Sequence, residues 1–333
     1  MQYLIKYQKL AELLMNEFSI INKYLKPLSG NNSSSLNLQD DIFFDKNRNL
    51  AISTDTYIEG IHFLNSSKPK DFIKKILRSS LSDLYCKGVK PKAYFLSVSL
   101  NKKYAKHSWL NELKKTLALE QKKFNIFLGG GDTTKSSKLI ITITVIGFSR
   151  KIVLRNGSVN NDDIYVTGNI CDSFLGLSIL KKKINLQNYN KYFIKKYYQP
   201  DLPIKIVPYL YKIATASIDI SDGLLQDLKH ICKNSKCGAL IDLNYLPLSS
   251  PCRNAISKNK VNLKSIFSKG DDYQILFTSK RKFRSKINLL SKKMNLKISK
   301  IGTINKDMNI NFIYKGKKFK LPATKMGYTH TFR

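Results

Sequence analysis

The stretch Asn49-Leu50-Ala51-Ile52-Ser53-Thr54-Asp55-Thr56-Tyr57-Ile58-Glu59-Gly60-Ile61-His62-Phe63 decides how the rest of the chain is read. Its β-branched and aromatic residues predict strands over Asn49–Asp55 and Tyr57–Phe63, with Asp55 closing the first. A carboxylate at the end of an apolar strand is costly to desolvate unless a cation pairs with it. The same placement recurs at Asp40-Asp41 before Ile42-Phe43, at Asp132 after three glycines, at Asp219 and Asp222 around the end of an apolar segment, and at Asp271-Asp272 before Tyr273. Any one of these reads equally well as a turn or cap residue, Asp222 before Gly223-Leu224-Leu225 above all. Together they point to an oxygen-rich cation site. The 4 histidines and 5 cysteines show no CxxC pair and no zinc spacing, so the donors suit a hard ion such as Mg²⁺.

Working outward, Phe127-Leu128-Gly129-Gly130-Gly131-Asp132-Thr133-Thr134 supplies the anion side of the same chemistry. Glycines let backbone N–H groups approach a phosphate, and an adjoining Asp-Thr can ligate the metal that the phosphate carries. Neither GxxxxGK[ST] nor GxGxxG occurs here, which excludes the P-loop, Rossmann and protein-kinase readings. A helix is expected over 9–25, followed by the polar loop 29–35. Apolar spacing from Phe72 to Leu84 predicts a helix over 69–87, stopped at Gly88. A strand over 93–100, a helix over 107–122, a short buried strand over 125–128 and a long strand over 139–148 complete the first half. The basic joint 149–162 divides the chain into domains 1–150 and 151–333. The second half reads as strands at 164–167, 217–220, 239–243, 273–278, 297–301 and 310–314, with helices at 172–183, 189–198, 203–215, 223–234 and 282–293. This mixture predicts a two-domain α/β (α+β) protein.

The 333 residues carry 58 Lys+Arg against 23 Asp+Glu, a formal net charge of +35. Arginine occurs only 8 times, so 50 of the basic residues are lysine, scattered along the chain. Nucleic-acid surfaces favour arginine for its planar bidentate fork. The surplus therefore reads as lysine-rich drift on solvated faces, and no specific nucleic-acid partner is expected. The N-terminal segment is amphipathic without a signal-peptide core, and no apolar run approaches the ~20 residues of a membrane span. These features predict a cytoplasmic protein with reduced thiols and no membrane partner.

The segments AISTDTYIEGIHF, LSDLYCKGVKP, GGDTT, IYVTG with DSFLGL, IDISDGLLQDLKHI, CGALIDLNYLP, GDDYQILFT and the terminal MGYTHTF, in this order, resemble the thiamine-monophosphate kinase family, within the aminoimidazole-ribonucleotide-synthetase-like superfamily. The resemblance runs from about residue 38 to the C-terminus. It implies an N-terminal mixed sheet that pairs across a homodimer and a C-terminal α/β domain completing the active site. The implied activity is Mg²⁺-dependent transfer of the ATP γ-phosphoryl group to thiamine monophosphate, giving thiamine diphosphate. By motif position the metal set is Asp40, Ser53, Thr54, Asp55, Asp83, Asp132, Asp219 and Asp222, with Asp55, Asp132 and Asp222 as the catalytic acids. Nucleotide contacts fall to Gly131, Asp132, Arg155 and Ser221, and substrate contacts to His62, Asp271 and Tyr328. Two anions that repel need cations to bridge them, which a mostly aspartate site provides. His62 also reads as a satisfied strand-end histidine, Tyr328 as a packing aromatic and Asp83 as a solvated helix acid. Two departures stand out. The approach to the first acidic pair, Leu38-Gln39-Asp40-Asp41, lacks the family's glycine, and Asp271 and Gln274 replace glutamates. A ribonucleotide-cyclising synthetase on the same scaffold and a basic nucleic-acid-binding protein are the competing readings.

Overall fold

The structure is a computed structural model that describes residues 17–65, 67–263 and 268–319. Tyr328, with the rest of the terminal motif, and most of the expected helix 9–25 lie outside the described residues. Of that helix, one turn at Glu17–Ile20 continues into the π-helical Ile21–Leu25.

Two mixed sheets organise the chain. The first has five strands in the order β1-β2-β5-β3-β4: β1 Phe43–Asp45, β2 Leu50–Ile58, β3 Pro91–Leu100, β4 Phe127–Lys135 and β5 Ile140–Phe148. All neighbours are antiparallel except β3 and β4. Helices α1 Pro69–Cys86 and α2 His107–Phe124 flank it, α1 packing on β2 and β5. The pleat sends Ala51, Ser53 and Tyr57 of β2 and Ile141, Ile143 and Val145 of β5 into the helix layer, where all are buried. The opposite face stays open. Across it run hydroxyl pairs, Thr54 to Thr144 and Thr56 to Thr142 at 2.9 Å and Ser99 to Thr134 at 2.8 Å.

The second sheet comprises β6 Asp163–Thr167, β7 Ala216–Asp219, β8 Gly238–Asp242, β9 Ile275–Ser279, β10 Ile298–Asn305, β11 Ile310–Tyr314 and β12 Lys317–Lys318. Its order is β12-β11-β8-β10-β6-β9-β7. The helices of this half are α3 Asp172–Leu180, α4 Asn190–Tyr198, α5 Val207–Ile213, α6 Leu224–Ser235, α7 Ser250–Ser257 and α8 Arg284–Met294.

Two sequence expectations fail for physical reasons. The pair of strands over 49–63 is one strand, because the alternation from Ala51 to Tyr57 is unbroken. A turn follows, in which Gly60 takes φ +82° and its N–H donates to the Phe63 carbonyl at 2.8 Å. The short buried strand expected at 125–128 is the start of the nine-residue β4, exposed along its whole length at the sheet edge. A glycine-rich edge strand has no buried side to imprint an alternating pattern.

Helix α1 binds the halves together. It touches β7 and α4 of the second half as well as β2 and β5 of the first. Its buried Arg78 makes a two-pronged ion pair with Glu120 of α2, at 2.7 and 2.8 Å, and donates to the Pro200 carbonyl at 3.0 Å.

Candidate active site

The site grows from the helix-facing side of β2, the end of β7 and the inward stripe of α1. Asp55 leaves β2 on the helix side, and its carboxylate accepts from the Tyr57 hydroxyl at 3.0 Å. Asp83, one helical turn before the end of α1, accepts from Ser53 Oγ at 2.5 Å, and Asp219 at the end of β7 accepts from Ser82 Oγ at 2.5 Å. Burial raises the Asp55 carboxyl above its ordinary range, and the Asp219 charge adds to that. Asp83 is pushed well up by burial, then by Asp55 and Asp219, and burial also raises Asp219. Asp222 is pushed up to about 7 by burial and by Asp219. The nearby Lys87 and Arg155 charges offset this burial and mutual repulsion only in part, and every donor among the four acids is an oxygen. This set fits a hard divalent ion.

A second group abuts the cluster. The fully buried Lys87 caps the C-terminus of α1, with Nζ 2.6 Å from Asp40 and 3.0 Å from Asp41, and it donates to the Ser217 carbonyl at 2.8 Å. Arg155 pairs with Asp41, and its backbone N–H donates to Asp40 at 3.0 Å. The approach to this acidic pair, which lacks glycine, turns through left-handed backbone at three successive residues, Leu36, Asn37 and Leu38 (φ +50°, +56° and +52°). Asp41, Asp219 and the Cys86 thiol place ligand atoms within 4.8 Å of one another. Burial pushes the Cys86 thiol well up, so it stays protonated and donates poorly to a hard ion.

The Gly270-Asp271-Asp272-Tyr273 loop lies directly on the Ser221-Asp222-Gly223 loop. The Asp271 N–H donates to the Ser221 carbonyl and the Tyr273 N–H to the Ile220 carbonyl, both at 2.8 Å. A Cβ at Gly270 would stand 1.8 Å from the Ser221 oxygen, so only glycine permits this approach. Asp227 holds the other side, accepting from the Gly223 N–H at 3.0 Å. Asp271 meets Lys75 of α1, Nζ to Oδ1 at 2.5 Å. Asp272 is structural: its carboxylate accepts from the Cys171 and Ser173 N–H groups at 2.6 and 3.3 Å and caps α3.

Ser53, Asp55, Asp83, Asp219 and Asp222 thus converge, with Asp40, Arg155, Ser221 and Asp271 around them. His62 sits in the turn after β2, its Nδ1 accepting from the Ile58 N–H at 2.9 Å. Thr54 and Asp132 belong to the open face of the sheet. The register Thr56–Thr142–Ser97–Asp132 sets Asp132 three strands from β2, about 14 Å away at ~4.8 Å per strand. Gly131 pairs with Leu96 on the same edge. Sequence reasoning passed over Lys75, Lys87 and Asp227. The signal for the lysines was their spacing, since 75, 79, 82, 83 and 86–87 share one side of α1.

The fold and the carboxylate cluster define an aminoimidazole-ribonucleotide-synthetase-like protein. The family model for the N-terminal domain of AIR synthase related proteins matches residues 38–149. Among relatives of known activity, the thiamine-monophosphate kinase of Buchnera aphidicola subsp. Schizaphis graminum is 39% identical over 324 residues, covering 95% of this chain and 98% of the relative. That of Haemophilus influenzae is 33% identical over 328 residues, 96% of this chain and 98% of the relative. The solved structure of AaThiL complexed with AMPPCP and TMP superposes with a TM-score of 0.81 at 26% identity, covering 95% of this chain and 97% of that one. The chain belongs to the thiamine-monophosphate kinase family.

Proposed function

We infer that the chain is an ATP-dependent thiamine-monophosphate kinase, which moves the γ-phosphoryl group of ATP onto the phosphate of thiamine monophosphate and yields thiamine diphosphate and ADP. The observation that carries this reading is the convergence of Asp55, Asp83, Asp219 and Asp222 as mutually repelling, desolvated acids between the two sheets. Mg²⁺ fits that donor set, with Asp40 and Ser53 as further oxygen donors beside it; Thr54 and Asp132, on the opposite face of the first sheet, are assigned to metal carried by the nucleotide's phosphates. Bound there, it would neutralise phosphate charge and align the two anions.

The chain's own groups do the rest. Arg155 and Ser221, beside the cluster, and the exposed Gly131 and Asp132 of β4 are the nucleotide side. His62 and Asp271 lie on the acceptor side, with Tyr328 as the third acceptor contact. Phosphoryl transfer asks for position and charge balance more than for proton abstraction, and no strongly basic side chain is needed. Asp83 and Lys75 stand eight residues apart on α1, about 12 Å at 1.5 Å per residue, a span suited to two substrates placed end to end.

The domains are taken as 1–150 and 151–333, because no strand of either sheet crosses 149–162. The open face of the first sheet exposes Phe95 and Phe148, with Phe127 and Leu128 at its edge. Exposed aromatic rings among the hydroxyl pairs of an open five-stranded sheet face support a homodimer in which a second copy covers it.

Assaying ADP release with ATP, Mg²⁺ and one acceptor at a time tests the assignment. Thiamine monophosphate should support turnover, and free thiamine or a ribonucleotide amidine should not. Preference for the amidine would move the chain to the cyclising synthetases of the same scaffold.

A further inference from the structure

Lys75 and Lys87 are the only buried lysines among the described residues, and Lys75 has no part in the metal cluster. It projects from the middle of α1, 4% exposed. Its Nζ lies 2.5 Å from Asp271 Oδ1, 4.5 Å from the centre of the Tyr197 ring and 5.9 Å from that of Tyr273. The Tyr273 hydroxyl donates to the same Asp271 oxygen at 2.9 Å. Two donors therefore converge on Oδ1, and among the described residues none is recorded on Oδ2. The carboxylate is 28% exposed, which keeps it open to a ligand.

The backbone around it carries an independent sign of constraint. Asp271 and Tyr273 take φ +70° and +51°, in the left-handed region that aspartate tolerates but a bulky residue such as tyrosine rarely enters. Such strain persists where surrounding contacts over-determine it, and it gathers at ligand sites. Here the determinants are the two backbone hydrogen bonds to Ile220 and Ser221 and the Lys75 ammonium, which reaches from the first half of the chain into the second.

We propose that Lys75 is a positioning residue: it locks the Asp271 carboxylate through Oδ1 so that Oδ2 is presented as a fixed acceptor to an N–H donor of the phosphate-bearing acceptor substrate. The inference rests on the kinase reading, in which that substrate is thiamine monophosphate, and it gives Asp271 an orientation in place of a bare charge. Asp271 is one methylene shorter than the family's glutamate. A lysine held rigidly by two aromatic rings and a carboxylate fixes where the shorter side chain ends.

Steady-state kinetics on Lys75→Met, Asp271→Asn, the double variant and Tyr273→Phe tests this. Lys75→Met and Asp271→Asn should each raise KM for thiamine monophosphate by about tenfold, with KM for ATP within about twofold of the parent. The double variant should lose no more than either single one, because the two side chains act as a unit. Tyr273→Phe should raise the same KM by about threefold, and it reads the claim even if Lys75→Met does not fold. Multiplying single effects in the double variant, an equal rise in KM for ATP, or an unchanged KM in Tyr273→Phe would overturn the proposal. A parent protein that makes no thiamine diphosphate refutes the kinase reading and this inference together. An active parent with independent variants refutes the inference alone.

Discussion

Asp55 pays for its position twice, once through burial and once through the charge of Asp219, and both raise its carboxyl. Removing the charge should therefore help the metal-free protein and harm the enzyme. Asp55→Asn should melt higher than the parent in EDTA, while turnover with Mg²⁺ falls by about 10²-fold or more. A lower melting point with intact turnover would place the cation elsewhere. Asp222 adds a pH signature. Its folded carboxyl titrates near 7, well above the 3.8 of an unperturbed aspartate, so between those values the folded state binds the extra proton. The metal-free protein should lose stability as pH rises from about 4 to about 7, and the loss should shrink in Asp222→Asn; thermal melts across that window in EDTA measure it. These acids were legible in the sequence because acids are scarce there. Lys75 and Lys87 were not, since two informative lysines are hidden among 50. Their spacing on α1 is a weak signal by itself, and packing makes it distinct: Lys75 meets Asp271 and the Tyr197 ring, and Lys87 meets Asp40, Asp41 and the Ser217 carbonyl.

At the scale of elements, α1 carries most of the architecture on one face and most of the chemistry on another. Its apolar residues pack on the first sheet while Lys75, Ser82, Asp83 and Lys87 point at the site. The Arg78–Glu120 pair fixes α1 against α2, both side chains being 4% exposed. Glu120→Ala leaves a buried guanidinium with only the Pro200 carbonyl and should cost about 3 to 5 kcal/mol in urea unfolding. A loss below ~1 kcal/mol would mean that water reaches Arg78. The helix was readable from its 3.6-residue spacing and its Gly88 stop. Strand β4 was not. Edge position and three glycines erase the period-2 signal, and its length emerges only from its parallel register with β3. At Gly131 a Cβ would stand 1.8 Å from the Leu96 carbonyl oxygen. The glycines thus serve strand proximity as well as access for a phosphate.

At the scale of the whole molecule, the +35 charge falls, among the described residues, almost wholly on the surface. Among the described residues, Lys75, Arg78 and Lys87 are the only buried cations, and each has an acidic partner. Long-range capture of ATP and thiamine monophosphate by this surplus charge predicts a kcat/KM that falls as salt is added, and steady-state kinetics across ionic strength measure it. No helix among the described residues is long and apolar enough to cross a membrane. The two-sheet plan followed from the order of the motifs. The packing of the Asp271 loop on the Ser221 loop did not, because some fifty residues separate them and backbone contacts join them. The open sheet face yields an assembly prediction: Phe95→Glu should convert a dimer to a monomer in sedimentation velocity, and an unchanged mass would refute pairing through this face. The central claim rests on one bond, the new phosphoanhydride on thiamine monophosphate. A ³¹P NMR time course of the purified protein with ATP, Mg²⁺ and thiamine monophosphate reads that bond directly. Paired doublets of thiamine diphosphate should grow in step with ADP. ATP decaying to ADP and inorganic phosphate while the thiamine monophosphate singlet persists would contradict the account.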